Sequence, residues 1–182
     1  MIISAEDRAK LVSLARQAVE AEVLGNQRPM LTGLDGLLAE KRGCFVTLTN
    51  QGRLRGCIGT FQPRGPLGEM IVEMSKAAAR DPRFTMDPIT PEELESLSIE
   101  VSVLSPLVES DAPEEIEVGR DGIFIVGKGS SGCFLPEVAT DQGWTATEFL
   151  DYCCAHKAGL PPGAWRDPDV KVYVFTSEKF DH

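Results

Sequence analysis

The sequence predicts an α+β fold with antiparallel sheets flanked by helices, and three observations carry that prediction. Segments of helical spacing and of period-2 alternation follow one another as helix, hairpin, helix, strand, then strands, helix, strand. Strict strand–helix–strand alternation, the mark of a doubly wound parallel sheet, is scarce. No Pro/Gly/Ser linker is long enough to separate independent domains, so 182 residues read as a single domain.

Ser4 caps a first helix in which Leu11, Leu14, Ala15 and Ala18 repeat at helical spacing, and Gly25 ends it. Residues 26–43 form a connection with a turn of helix at 34–39. CFVTLT (44–49), the turn NQG (50–52) and RLRGCIGTF (53–61) make a hairpin. Pro66 opens a second helix whose Leu67, Met70, Ile71, Met74, Ala77 and Ala78 form a core stripe, with Glu69, Glu73, Lys76 and Arg80 opposite. That helix breaks at Pro82 in RDPRF (80–84).

Thr90-Pro91-Glu92-Glu93 is a capping box opening a short helix before the strand LSIEVSVL (97–104). The acidic piece 109–117 reads as a short capped turn. Strands follow at 123–127 and 133–136, joined by a flexible KGSSG. Thr145 and Glu148 make a second capping box, with a helix to about Ala158, Gly159 as its stop and a last strand at 170–176. The hairpin 44–61 and strand 97–104 each show one apolar face. They are expected to pair in one antiparallel sheet under the helix from Pro66, packed through Ile71, Met74 and Ala78.

Charge and cysteine usage narrow the function classes. The net charge of −10 disfavours nucleic acid and anionic lipid as main partners. Residues 53–86 are the exception, with six basic and three acidic side chains, whereas 87–122 carry one basic and eleven acidic. That local basicity fits a small anionic ligand better than a polynucleotide track. No apolar run reaches the roughly 18 residues of a membrane span. The N-terminal MIISAEDRAK turns charged too early for a secretory signal. Five cysteines, an odd number, point to reduced thiols and a cytoplasmic protein. With no CxxC pair and only His156 and His182, a Cys/His zinc site has no support. Dinucleotide, P-loop, zincin, GxSxG and EF-hand patterns are missing too, so no cofactor is implied.

RLRGCIGTF raises the sharpest question, because a core strand has little use for glycines on both sides of a cysteine. Either they admit a ligand to Cys57 or another backbone crosses there. Period-2 alternation places Arg53, Arg55, Cys57 and Gly59 on one face. A guanidinium beside Cys57 would favour thiolate, as a nucleophile requires, and Gly56 and Gly59 would leave backbone N–H groups free. Arg83, after a helix-breaking proline, is placed to bind an anion near Cys57 or Arg55. A helix of about 14 residues spans roughly 21 Å and can return the chain to the hairpin. His156, the one internal histidine, would have to serve any Cys–His dyad; Lys157 is read as complementing the end of its helix. Cys153 reads as core and Cys154 as flank, with Trp144 and Trp165 as packing residues.

LRGCIGTF resembles the signature of the AMMECR domain family. GCFVTLT, AAARDPRF, LSIEVSVLSP, GRDGIFIV, FLPEVA, the Trp144 helix, HKAGLP and Trp165 follow in the family's order, from about Gly43 to Phe180. Glu137 stands where that pattern more often has Gln, and KGSSGC falls in a variable loop. The resemblance implies an α+β fold of two similar β-rich lobes, roughly 1–105 and 106–182, with a cleft between them as a suspected site. It also implies partnership with a Memo-like protein and a radical SAM protein, and it implies no reaction. The positions carried over are Arg55, Gly56, Cys57, Gly59, Thr60, Asp81, Arg83 and Phe84.

Two readings follow. In one, Cys57 is a nucleophile or working thiol, with Arg55, Gly56, Gly59, Thr60, Asp81 and Arg83 as the binding residues of a small anionic molecule. In the other, the chain is a non-catalytic binding or scaffold module and LRGCIGTF is structural. Thr60 and Asp81, the other candidate proton-transfer groups, are weak general bases, which favours the second reading.

Overall fold

A computed structural model describes residues 2–181. The chain divides into two compact units: one runs to Leu104 and resumes at Glu178, and the other spans Ser105–Ser177.

The first unit opens with α1 (Ala5–Leu24), where Ser4 Oγ accepts the Asp7 N–H at 3.1 Å and Gly25 closes the helix at φ 69°. A short α2 (Gly36–Ala39) follows. Strands β1 (Cys44–Asn50) and β2 (Arg53–Thr60) are joined through Gln51 and Gly52 at φ 50° and 79°, the paired left-handed geometry of a two-residue hairpin turn. Then come α3 (Leu67–Ala79), a 3₁₀ turn at Pro82–Phe84, a second at Pro91–Ser96 and β3 (Leu97–Leu104). In the second unit β4 (Val108–Glu109), β5 (Gly122–Gly127), β6 (Ser130–Phe134), α4 (Pro136–Gln142), α5 (Ala146–His156) and β7 (Val170–Phe175) succeed one another. The last strand, β8 (Ser177–Asp181), returns to the first sheet, whose order is β2-β1-β3-β8.

β1 pairs antiparallel with both β2 and β3, and Val46 sits opposite Ile58 and Val101. Hairpin and strand 97–104 thus share one sheet, as expected from their apolar faces. Cys44, Val46, Leu48, Ile99, Val101 and Val103 form its core side. Against it lie Leu11, Ala15 and Val19 of α1 and Leu67, Ile71, Met74 and Ala78 of α3. Fully burying an aliphatic side chain of this size stabilises by about 1.5–3 kcal/mol, so the stripe on α3 holds that helix to the sheet.

The second sheet has the order β4-β7-β5-β6, again antiparallel. Ile123, Ile125 and Val172 make its core with Phe149, Leu150 and Cys153 of α5. Each unit therefore contains a hairpin, a helix laid over it and a third strand beside the hairpin's first. The crossings match as well. A Cβ on Gly56 of β2 would stand 2.0 Å from the Ala78 carbonyl oxygen, and one on Gly132 of β6 would stand 2.3 Å from the Ala158 nitrogen. Glycine is what lets each helix end lie on its strand.

Several expectations change in this unit. KGSSG is not a loop: Lys128 and Gly129 alone turn, at φ 53° and 77°, and Ser130–Gly132 already belong to β6. Pro136 does not end a strand but opens α4. Cys154 is fully buried beside Cys153, because α5 is covered on two sides by its unit. Strand β4 here, and β8 in the first unit, arise where no strand was expected.

Candidate functional site at Cys57

The β1–β2 turn fixes which peptide groups of β2 face outward. Counting back from the closing pair Asn50–Arg53, the register slips between Leu48 and Thr49, so Gly56 lies opposite Leu48 and Leu54 opposite Thr49. Arg55 is the extra residue of a bulge. Beyond it Thr47 and Cys57 form a non-hydrogen-bonded pair, whose side chains approach closely while their peptide groups point away. Accordingly Thr47 Oγ1 lies 3.3 Å from Cys57 Sγ.

β2 is an edge strand, and RDPRF supplies what a neighbouring strand would. Asp81 Oδ2 accepts the Cys57 N–H at 3.0 Å, and Arg83 Nη2 donates to the Cys57 carbonyl at 3.2 Å. The same carboxylate accepts the Arg83 N–H and Nε, each at 3.0 Å. The Arg83 guanidinium, helped by two backbone N–H groups, holds the buried Asp81 carboxyl well below the usual carboxylate range despite the opposing effect of burial. Arg83 thus reaches Cys57 as the sequence led one to expect.

Arg55 behaves differently from expectation. The bulge takes it out of the period-2 face of Cys57, and it is 2% exposed. Its Nε and Nη2 meet the two Glu93 carboxylate oxygens at 3.0 Å each, Nη1 meets Asp87 at 3.0 Å and Nη2 also reaches the Pro88 carbonyl at 3.1 Å. Glu93 additionally accepts from Asn50 and from the Thr90 N–H. The Arg55 pairing, followed by those donors, lowers the Glu93 carboxyl from 4.5 to about 2, with burial opposing. Arg53 pairs with Asp87 as well. Arg53, Arg55 and Arg83 are therefore each matched by a carboxylate, and a basic pocket does not form from them.

The remaining candidates are packed or locally bonded. Gly56 lies on the core side beneath Ala78, and Gly59 lies beneath the Phe45 ring, where a Cβ would come to 2.2 Å. Thr60 Oγ1 exchanges hydrogen bonds with the Gln62 backbone. Phe84 holds the Arg83 guanidinium 5.7 Å from its ring centre. His156 is in the second unit, stacked on Tyr152. Hollows of about 630 and 600 Å³ flank Met30 and Leu31 on the α1 and α3 sides, and neither is lined by residues 53–61 or 81–84. Thr47 and Asp87 carry no signal in the sequence, and Glu93 signals only a helix cap; an unbroken register from the Asn50–Arg53 turn would have set Val46 opposite Cys57, and the bulge brings Thr47 there instead.

The arrangement presents a half-buried thiol, a hydroxyl beside it and a peptide unit clamped by an ion pair. Among the described residues no helix is long and apolar enough to cross a membrane.

A model of the AMMECR1 family matches residues 12–180. A protein of Methanothermobacter thermautotrophicus is 42% identical, with 98% of this chain and 95% of that one aligned. Protein TK0174 of Thermococcus kodakarensis is 47% identical over 94% of this chain and 88% of its own. The crystal structure of the uncharacterised protein PH0010 from Pyrococcus horikoshii is similar at 41% identity, with a TM-score of 0.82 over 99% of this chain and 93% of that one.

Proposed function

The chain belongs to the AMMECR1 family, and from that premise we propose that it is a non-catalytic binding module in which LRGCIGTF is a structural latch. One observation carries this reading. The charged side chains of the two motifs around Cys57 are all paired: Arg55 with Glu93 and Asp87, Asp81 with Arg83, and Arg80 with Glu22 of α1. An anion would have to displace a carboxylate held at three or more contacts, which costs far more than an exposed guanidinium would return. The Memo-like and radical SAM proteins implied by the signature are the proposed partners, and the chemistry is theirs.

A second reading, a small anionic substrate held at Cys57, draws on the half-exposure of that thiol where Cys44, Cys153 and Cys154 are buried. Alkylation separates the two. In the latch reading, inorganic phosphate and acetate leave the rate of Cys57 alkylation by iodoacetamide unchanged, and Cys57→Ser binds the partner proteins as the parent does. An anion that slows alkylation in the parent but not in Arg83→Ala would overturn the latch reading in favour of a site.

A further inference from the structure

The two sheets treat their hairpin edges differently. In the first, the outward peptide group of Cys57 is capped by Asp81 and Arg83. In the second, the two-residue turn at 128–129 makes Gly127–Ser130 a hydrogen-bonded pair. Alternation then leaves Ser131, opposite Val126, and Cys133, opposite Phe124, as non-hydrogen-bonded pairs whose N–H and C=O groups point away from β5. β6 is the outermost strand of its sheet. Among the described residues no hydrogen bond occupies those outward groups; the segment after α5 crosses the face of β6 at Gly132, sets Lys157 against the Phe134 ring and hydrogen-bonds to the strand through the Ser130 hydroxyl, which donates to the Ala158 carbonyl.

Edge strands are usually blunted by charge, proline or a bulge. β6 reads SSGCF, with none of these, and its pairing to β5 is regular throughout. We propose that the outer edge of β6 is a strand-addition site for an extended, basic segment of a partner protein. Such a segment would exchange main-chain hydrogen bonds with Ser131 and Cys133. Charge chooses the partner. The unit Ser105–Ser177 holds five basic and twelve acidic residues, so a second copy laid edge to edge is repelled and a cationic segment is attracted. Register chooses the side chains. Cys133, Phe124 and Tyr173 form one cross-strand row, so the added residue next to Cys133 extends it and is apolar. The site uses no residue of the Cys57 latch and stands or falls apart from it.

The test uses the full chain and a capped heptapeptide of alternating Lys and Val carrying a fluorophore. Hydrogen exchange should slow at residues 130–134 on adding the peptide, and anisotropy should report binding that a Glu/Val peptide lacks. Ser131→Pro removes one outward donor at a position where an edge strand accepts proline, and should weaken binding at least about tenfold. Ser131→Ala should bind like the parent, because recognition is through the main chain. N-methylation of alternate peptide nitrogens on the probe makes the same cut without touching the protein's fold. Equal binding by the N-methylated probe, protection elsewhere than β6, or no binding at low salt would overturn the proposal. So would a dimer lost in Ser131→Pro, which would make the occupant a second copy.

Discussion

Cys57 owes its surroundings to three side chains of quite different kinds. Thr47 faces it across the hairpin, while Asp81 and Arg83 hold its peptide. Its half-exposure gives an ordering of thiol reactivity. Burial pushes Cys44 up to about 12 and, against the pull of Lys157, Cys133 up to about 11. Native protein treated with iodoacetamide at pH 7 and pH 8 should therefore label Cys57 before any other cysteine, as read by peptide mass spectrometry. Complete protection of Cys57 would show that the thiol is sealed in and would end any reading that uses it. Arg55 makes the opposite case, a charge committed to structure. Arg55→Ala leaves Glu93 with its main partner gone, and should cost roughly 3–5 kcal/mol in chemical denaturation. The Glu93 carboxyl is lower in the folded chain than its ordinary 4.5, so its contribution is full above that pH and is lost as pH falls toward about 2. Glu93→Gln should accordingly flatten the acid limb of the stability curve between those values. Losing that limb's slope in the parent itself would contradict the pairing.

At the scale of elements, the glycines of the signature are explained by helix ends. A methyl group at Gly56 would collide with the carbonyl of Ala78, which is backbone and cannot rotate aside. Gly56→Ala should cost at least about 1–3 kcal/mol, and Gly132→Ala a similar amount in its own unit. If Gly56→Ala melted like the parent, the crossing would be looser than described. What could be read from the sequence at this scale was local. Ser4, Gly25, the Thr90 and Thr145 boxes and the alternation of 97–104 act within a few residues, and each lies where it was expected, except that the alternation stops at Ser102, which is buried. What could not be read was settled by distant partners. The bulge at Arg55 follows the carboxylates of residues 87 and 93, about thirty positions away in the chain, and nothing in RLRG announces it. SEKFD becomes a strand because β3 offers an edge, and SSG because the turn at Lys128–Gly129 is tight. For the site, proximity of Arg83 to Cys57 was legible from helix length, whereas the pairing of Arg53 and Arg55 with Asp87 and Glu93 was not, since charge counts along a chain ignore pairing in space.

Over the whole molecule, the same hairpin–helix–strand plan occurs twice, completed by a fourth strand from a different source each time. β4 is two residues long and exposed, so the second sheet depends little on it. β8 is five residues long and joins the first unit at both ends of the chain: Glu178 accepts the Ile3 N–H at 3.1 Å and pairs with Arg8. Deleting the chain from Ser177 onward should therefore destabilise the first unit while leaving the second intact. Hydrogen exchange would then rise in β3 and the start of α1, and not in β5 or α5. Uniform loss of protection would mean that the two units unfold together.

The placement of β8 also sets an order of events on the ribosome. β3 emerges early, but its partner strand follows only after all of Ser105–Ser177 has been translated. At about 5–20 residues per second that wait is roughly 4–15 s. Throughout it, the nascent chain carries a three-stranded sheet with an unpaired side, and neighbouring chains on one message could pair with it before β8 arrives.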